Sequence, residues 1–207
     1  MSEPLPVLDP AFSPAFETIP RETFHRVYWS RQDPLTSSVA SNNRYDCPPS
    51  LSATDRFGVL YLGYDLPTCW METVVRQNMI RPAGTVIQVA RVKVTDRWAC
   101  EISSRDALVL AQSADEPLID LGDSASNIMG DSYLRTQLWS TLLHAHANPH
   151  VDGLRYRSRF RSGQFCIALF ERAIALRGLT VANRRSIDPA TSSEAQSIMR
   201  RYNVVPI

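Results

Sequence analysis

Residues 58–78 read GVLYLGYDLPTCWMETVVRQN, the stretch that is most informative about the fold. The short apolar run at residues 58–63 ends in glycine and predicts a buried strand. Asp65 can cap a following helix over residues 66–78, with Pro67 in the first turn, where proline is tolerated. The stretch therefore predicts a strand, a tight turn and a helix.

Glu72 lies off the apolar face of this predicted helix. On a wheel of 3.6 residues per turn, the simplest interpretation is a solvent-exposed surface carboxylate. Its place just after a buried strand makes it a candidate functional residue, because sites often form at strand ends in parallel α/β sheets. The apolar face itself consists of Leu66, Cys69, Trp70, Thr73 and Val74.

Other elements are predicted from the same periodicities. Helices are expected over residues 131–147 and 193–202, the second with Ser193 and Gln196 spaced as a capping box. Because strands and helices mix without regular βαβ alternation, the order favours an α+β (mixed α/β) fold in one compact domain. Strands are expected at residues 24–29, 153–156, 166–171 and, with the clearest alternation, 85–94 (TVIQVARVKV).

Two segments are expected to lack regular structure. Residues 1–20 contain five prolines and predict an extended N-terminal arm, which leaves residues 21–207 as the domain. Residues 31–54 are polar and predict a long loop, and a loop of more than about 15 residues in a compact domain is usually functional or disordered. This loop is the first place to look for a site.

The composition excludes several classes of protein. The 22 basic and 21 acidic residues nearly cancel, so binding to duplex DNA or an anionic membrane by bulk charge is not expected. The N-terminus (MSEPLPVLDPAF) lacks the pattern of a signal peptide, and no apolar run approaches the roughly 20 residues of a membrane span. We therefore expect a cytoplasmic protein.

The cysteines and histidines do not suggest a metal site. His144 and His146 are two residues apart and would lie on different faces of a helix. The cysteines form no CxxC pair and are too scattered to predict a zinc site, a redox motif or a disulfide framework. They are Cys47, Cys69, Cys100 and Cys166.

Two further residues are candidates by their surroundings. Arg44, in the loop sequence SNNRYD, could present its guanidinium group to a carboxylate or phosphate, although a solvated loop arginine is the simpler reading. Ser158 lies in DGLRYRSRFRSGQF (residues 152–165), where arginines alternate with other residues. An extended segment of this kind is typical of a basic edge strand, and the basic and aromatic alternation also suits RNA.

Together and in this order, four segments resemble the RES domain, which is named for an Arg, a Glu and a Ser and is found in bacterial toxins paired with an Xre-like antitoxin. Two departures from the family pattern occur in the loop. Its Gly-Gly pair before the arginine is Asn42-Asn43 here, and its Asn two places after the arginine is Asp46. The segments are FHRVY (24–28), SNNRYD (41–46), VLYLGYDLPTCWMETV (59–74) and DGLRYRSRFRSGQFCIALF (152–170).

The resemblance implies a core similar to ADP-ribosyltransferases and an enzyme that cleaves the nicotinamide–ribose bond of NAD+. It identifies Arg44, Glu72 and Ser158 as the catalytic triad, with Arg26 and Tyr61 as substrate-binding partners. Glu72 would stabilise positive charge on the ribose, and both arginines would bind the diphosphate. Tyr61 would stack on nicotinamide or ribose, and Ser158 would hydrogen-bond the substrate.

The resemblance also implies a set of partners. NAD+ is the substrate, no cofactor or metal is required, and either water or inorganic phosphate is the acceptor. The protein partner is an Xre-like antitoxin. Any contact with nucleic acid would be indirect, through this antitoxin. The chain could also form a homo-oligomer. Asp46, expected beside the diphosphate, would weaken NAD+ binding.

Two alternatives remain at this point. A mono-ADP-ribosyltransferase acting on a protein would share the same pocket. A non-catalytic module would use the arginines at residues 155–161 to bind RNA or a partner protein.

Overall fold

The computed structural model describes residues 14–76, 84–117, 132–146 and 150–207. In these residues the strands are β1 (Phe16–Ile19), β2 (Thr23–Trp29), β3 (Val59–Gly63), β4 (Ile87–Val89), β5 (Arg97–Ser104), β6 (Leu108–Gln112), β7 (Gly153–Arg157), β8 (Phe165–Phe170), β9 (Leu179–Ser186) and β10 (Val204–Pro206). The helices are α1 (Leu66–Trp70), which continues as a π-helix over Met71–Val75, α2 (Arg91–Val94), α3 (Leu134–Ala145), α4 (Glu171–Leu176) and α5 (Ser193–Arg201).

One large mixed sheet organises the molecule. Its strand order is β1-β6-β7-β8-β3-β2-β5-β9, and neighbouring strands are antiparallel except for the parallel pair β6 and β7. Strands β10 and β4 form a separate parallel pair. The predicted α+β fold in one compact domain is confirmed, since helices and strands mix without βαβ units in a regular order.

The central strands are buried on both faces of the sheet. In β3, Leu60 and Leu62 pack with Ile167 and Leu169 of β8 on one face. The alternate residues of both strands, including Val59 and Phe170, pack in a second cluster on the other face. Burial on both faces explains why β3 and β8 have continuous apolar sequences, and why they could be predicted.

The prediction of a strand over residues 85–94 is largely wrong. Only Ile87–Val89 is a strand, and α2 follows at once. Strand β4 pairs with the three-residue strand β10, and the amide of Ile207 closes the ladder on the carbonyl of Val89. The valines that follow do not alternate between two faces of a sheet, because they lie in α2: Val94 is buried whereas Val92 is exposed.

The boundaries of other elements also differ from prediction. Residues 16–19, assigned to the N-terminal arm, form strand β1 at the edge of the main sheet, and the rest of the arm up to residue 13 lies outside the described residues. Helix α5 is capped by Ser192 rather than Ser193, through the amide of Ala195. The ends of the helices predicted over 66–78 and 131–147 also lie outside the described residues. Strands β5, β6 and β9 were not predicted.

Candidate active site

A cleft of about 690 Å³ lies beside β2, β3 and the helix that follows β3. Its volume falls within the roughly 300–1,000 Å³ that is usual for small-molecule sites. Among the residues predicted from sequence, Arg26, Arg44, Tyr61 and Glu72 line the cleft, and Ser158 lies directly behind Glu72. All five side chains are therefore brought to one place.

Glu72 lies in the wall of the cleft, in a segment where the helix changes its winding. Asp65 caps α1 by accepting a hydrogen bond from the amide of Thr68 at 2.6 Å, as predicted. From Met71 to Val75 the helix is of the π type, which is rare and frequent at functional sites. The wider turn buries both Val74 and Val75 and leaves Glu72 partly buried at the cleft wall. The wheel of 3.6 residues per turn correctly places Glu72 off the apolar face, but it does not show that this side of the helix borders a cleft.

Ser158 holds the Glu72 carboxylate in place. The fully buried hydroxyl donates to Oε1 of Glu72 at 2.7 Å, and the backbone amide of Arg159 donates to the same oxygen at 3.0 Å. The hydroxyl in turn accepts from the amides of Phe160 (3.3 Å) and Arg161 (3.1 Å). This differs from the predicted hydrogen bond to a substrate, because the one proton of the hydroxyl is already donated to Glu72.

Replacing Ser158 with alanine should therefore loosen the carboxylate rather than remove a substrate contact. For Ser158→Ala we expect kcat to fall about 10-fold, equivalent to roughly 1.5 kcal/mol, with little change in KM. Steady-state kinetics with NAD+, the substrate that the resemblance implies, would measure both, and the melting temperature would verify folding. A folded variant whose KM rises while kcat holds would restore the substrate-binding role.

A buried aspartate organises the polar loop that carries Arg44. Oδ2 of Asp46 accepts from the amides of Asn42 (3.1 Å) and Asn43 (2.8 Å), and Oδ1 accepts from the Tyr61 hydroxyl at 2.9 Å. Burial raises the pKa of this carboxyl, and the hydrogen bonds from Tyr61 and Asn43 oppose that rise. Neither asparagine has a positive φ, so the loop does not need glycine at these positions.

Asp46 does not line the cleft, although its neighbour Arg44 does, and its side chain is buried in the loop. Its charge is directed into the loop, where backbone amides and a phenol surround it. The departure from the family pattern is thus part of the structure that positions the neighbouring Arg44.

Arg44 is buried in the cleft without a hydrogen bond for its Nη1 atom among the described residues. Only 9% of the residue is exposed. The guanidinium carbon lies 5.3 Å from the ring centroid of Tyr133, and that of Arg76 lies 5.7 Å from the same centroid. A largely buried cation in the wall of a cleft, with a donor that has no protein partner, is suited to an anionic ligand.

Arg76 and Tyr133 are contributors that the sequence did not reveal. Arg76 donates to the carbonyl of Asn42 at 2.8 Å and to the side chain of Asn43, and so ties the loop to the helix that bears Glu72. Tyr133 lies just before α3, far from the loop in sequence. Neither residue belongs to a local motif, so only the tertiary structure reveals them.

Arg26 and Tyr61 each have structural contacts in addition to their place in the cleft wall. Arg26 donates to the carbonyls of Pro34 and Thr36 (2.9 Å for the latter), and burial lowers its pKa to about 10. The hydroxyl of Tyr61 also accepts from the amide of Tyr45 at 3.1 Å, and burial raises the pKa of Tyr61. Both side chains therefore help to fix the long loop over the sheet.

The cleft lining is strongly cationic. Glu72 is the one acidic residue among the described residues that line it, against six basic ones. The near-neutral net charge of the chain conceals this concentration. An anionic ligand that also develops positive charge near Glu72 would be complementary to both features. The basic residues are Arg26, Arg44, Arg76, Lys93, Arg97 and Arg159.

The described residues lack two other features that would point to a function. They contain no group of three or more His, Cys, Asp or Glu side chains placed to hold a metal ion. In the same parts of the chain, no helix is both long and apolar enough to cross a membrane. The four cysteines are buried and free.

A sequence model of the RES domain matches residues 19–187. The chain belongs to the RES-domain family. The RES match contains all four segments on which the resemblance was based and extends beyond them at both ends, from the last residue of β1 to the residue after β9. No curated protein matches significantly.

A chain from the crystal structure of the M. tuberculosis MbcT–MbcA toxin–antitoxin complex is similar to this RES domain. The TM-score is 0.60 and the sequence identity 20%, with 84% of this chain and 88% of that chain covered. At this identity, the likeness concerns the fold. Because the match covers most of both chains, it is consistent with one domain built on the mixed sheet in this chain.

Proposed function

We propose that this RES domain is a toxin-type enzyme that cleaves the nicotinamide–ribose bond of NAD+, with water or inorganic phosphate as acceptor. One observation carries the proposal. Among the described residues that line the cleft, Glu72 is the one carboxylate beside six basic residues, and Ser158 and the Arg159 amide fix one of its oxygens. Family membership supports it.

The chemistry accounts for the opposite charges in the cleft. When the bond between the ribose C1′ and the nicotinamide nitrogen breaks, its electron pair leaves with nicotinamide and positive charge develops on the ribose. A fixed carboxylate stabilises that charge, as carboxylates do in glycoside cleavage. An oxygen of the acceptor then bonds to C1′, and its proton is released.

Arg44 would bind the diphosphate, which is negatively charged before and during the reaction. Its buried position and its stacking on Tyr133 orient the guanidinium before the ligand arrives. No cofactor or metal takes part in these steps. The substrate supplies the leaving group, and the chain supplies binding and charge stabilisation.

The direct test is to incubate the purified protein with labelled NAD+, with and without phosphate, and to identify the products. Release of nicotinamide with ADP-ribose indicates hydrolysis, and release with a phosphorylated ADP-ribose indicates phosphorolysis. Label that remains on protein would identify a mono-ADP-ribosyltransferase instead. Salt-dependent RNA binding with no loss of NAD+ would favour a non-catalytic binding module.

Substitution of Arg44 should affect binding more than turnover. We expect Arg44→Ala mainly to raise KM for NAD+, about 10- to 100-fold, because the diphosphate contact is present in the ground and transition states alike. Arg44→Lys should recover only part of the affinity, since the bidentate contact is lost. Initial rates measured over a range of NAD+ concentrations would give kcat and KM for both variants. A fall in kcat at unchanged KM would assign Arg44 to the chemical step.

We also propose that a cognate antitoxin protein of the Xre-like type restrains this enzyme by covering the cleft. The similar fold in a toxin–antitoxin complex supports the idea. Expression without an antitoxin should arrest growth and deplete cellular NAD+, whereas expression of the Glu72→Gln variant should not. Normal growth with undiminished NAD+ on expression of the active protein would contradict it.

A further inference from the structure

A second cationic site lies in the cleft at a distance from Arg44. Arg97 on β5 is directly opposite Trp29 on β2, and its guanidinium carbon lies 3.3 Å from the Trp29 ring centroid. Lys93 of α2 adjoins them, and all three residues line the cleft. None of the three residues is among the site residues predicted from the sequence.

The Arg97 guanidinium is held in place and not neutralised. It stacks on Trp29, and its Nε donates to the carbonyl of Lys93 at 3.1 Å. No carboxylate makes an ion pair with it in the part of the chain that the structure describes, although only 6% of the residue is exposed. Burial lowers its pKa to about 10, so the group stays charged at neutral pH.

Such an arrangement is suited to a phosphate group. A stacked guanidinium keeps its orientation, and its two Nη groups form the fork that contacts two phosphate oxygens. A nearby ammonium group adds charge without a strict geometric demand. Dinucleotide-binding proteins use an arginine in this way when the adenosine ribose carries a 2′-phosphate.

The position separates this site from Arg44. The hydrogen bond between the Tyr45 amide and Tyr61 fixes the Arg44 loop over β3, whereas Arg97 lies on β5, two strands away. Two strand spacings amount to roughly 10 Å. One elongated ligand with two anionic groups could therefore contact both sites.

We propose that Arg97 and Lys93, beside Trp29, bind the 2′-phosphate of the adenosine ribose, so that NADP+ is a substrate of this enzyme and is preferred to NAD+. The inference rests on the proposed function. It adds a specificity site to it: Arg44 binds the diphosphate common to both dinucleotides, and the Arg97 site distinguishes them. The bond broken and the acceptor are the same for both substrates.

The kinetic test compares kcat/KM for NADP+ and NAD+ in the wild type and in Lys93→Gln, with Arg97→Gln as a second variant. The wild type should favour NADP+ about 10-fold, and Lys93→Gln should reduce kcat/KM for NADP+ about 10-fold more than for NAD+. Arg91→Gln is the matched control, because Arg91 is an exposed cation on the same helix and does not line the cleft. It should keep the preference for NADP+.

A binding test does not depend on turnover. In calorimetry, adenosine 2′,5′-bisphosphate should bind the wild type about 10-fold more tightly than adenosine 5′-monophosphate, and Lys93→Gln should abolish the difference. Equal binding of the two nucleotides would overturn the inference. So would inorganic phosphate that binds as tightly as the bisphosphate, because the site would then hold the acceptor.

The two proposals fail in different ways. Cleavage of NAD+ with slower or absent cleavage of NADP+ leaves the proposed function intact and overturns the 2′-phosphate site. An equal loss on both substrates in Lys93→Gln would also overturn it, because the site would then bind the shared diphosphate. Cleavage of neither dinucleotide overturns the proposed function, and the calorimetry still decides the second site.

Discussion

Glu72→Gln should reduce kcat about 10²- to 10³-fold, equivalent to roughly 3–4 kcal/mol, while KM changes little. This is the usual effect of removing one preorganised electrostatic partner of a transition state. Glutamine retains an oxygen that can accept from the Ser158 hydroxyl and the Arg159 amide. The substitution therefore removes the charge and keeps the local hydrogen bonds.

Nicotinamide release measured over a range of NAD+ concentrations would separate kcat from KM for this variant. Glu22→Gln is a suitable control, because Glu22 is exposed and does not line the cleft. The melting temperature of both variants should match that of the wild type. Full turnover by a folded Glu72→Gln protein would remove Glu72 from the mechanism.

Asp46→Ala should have the largest effect on stability. The substitution leaves the Tyr61 hydroxyl and the amides of Asn42 and Asn43 without their buried acceptor. We expect a loss of about 3 kcal/mol in the free energy of unfolding, because unsatisfied buried donors cost about 1–3 kcal/mol each and water can compensate in part. For a chain of this size, this corresponds to a fall of roughly 6–12 °C in melting temperature.

The same variant should bind the proposed substrate more weakly, since the loop that carries Arg44 loses its anchor. Asp55→Ala is the matched control: Asp55 is an exposed aspartate in the same connection between β2 and β3, and it accepts a hydrogen bond from the nearby Ser52 hydroxyl. It should melt close to the wild type, and Tyr61→Phe, which removes one donor, should lie between them. Calorimetric scans that place Asp46→Ala within about 1 °C of Asp55→Ala would show that Asp46 does not hold the loop.

The elements that sequence predicted correctly have a strong local signal. Strands β3 and β8 are continuous apolar runs, and Asp65 and Pro67 mark a helix start at the residue where α1 begins. The alternation of apolar and polar residues over 85–94 led to a wrong prediction of one long strand, because the same alternation continues through α2. Strand β4 pairs only over Ile87–Val89 with β10, a partner distant in sequence that no local pattern reveals.

The candidate site was predictable only in part. Local surroundings made Arg44, Glu72 and Ser158 separate candidates, and only the resemblance to a family pattern joined them into one site; periodicity alone would have placed Glu72 on the open surface. The contacts that define the site join residues distant in sequence, such as the bond between Ser158 and Glu72. Tyr133 and Arg97 act through partners on other elements, so neither could be identified without coordinates.

The unequal distribution of charge has a consequence for the rate of ligand capture. Basic groups that surround a concave surface of low dielectric focus the field and attract anions from solution. That attraction decays over a Debye length of about 8 Å at physiological ionic strength and about 3 Å at 1 M. Because the chain as a whole is nearly neutral, the steering originates locally in the cleft. Added salt should therefore slow the encounter with a dinucleotide, whereas the chemical step inside the cleft is screened far less.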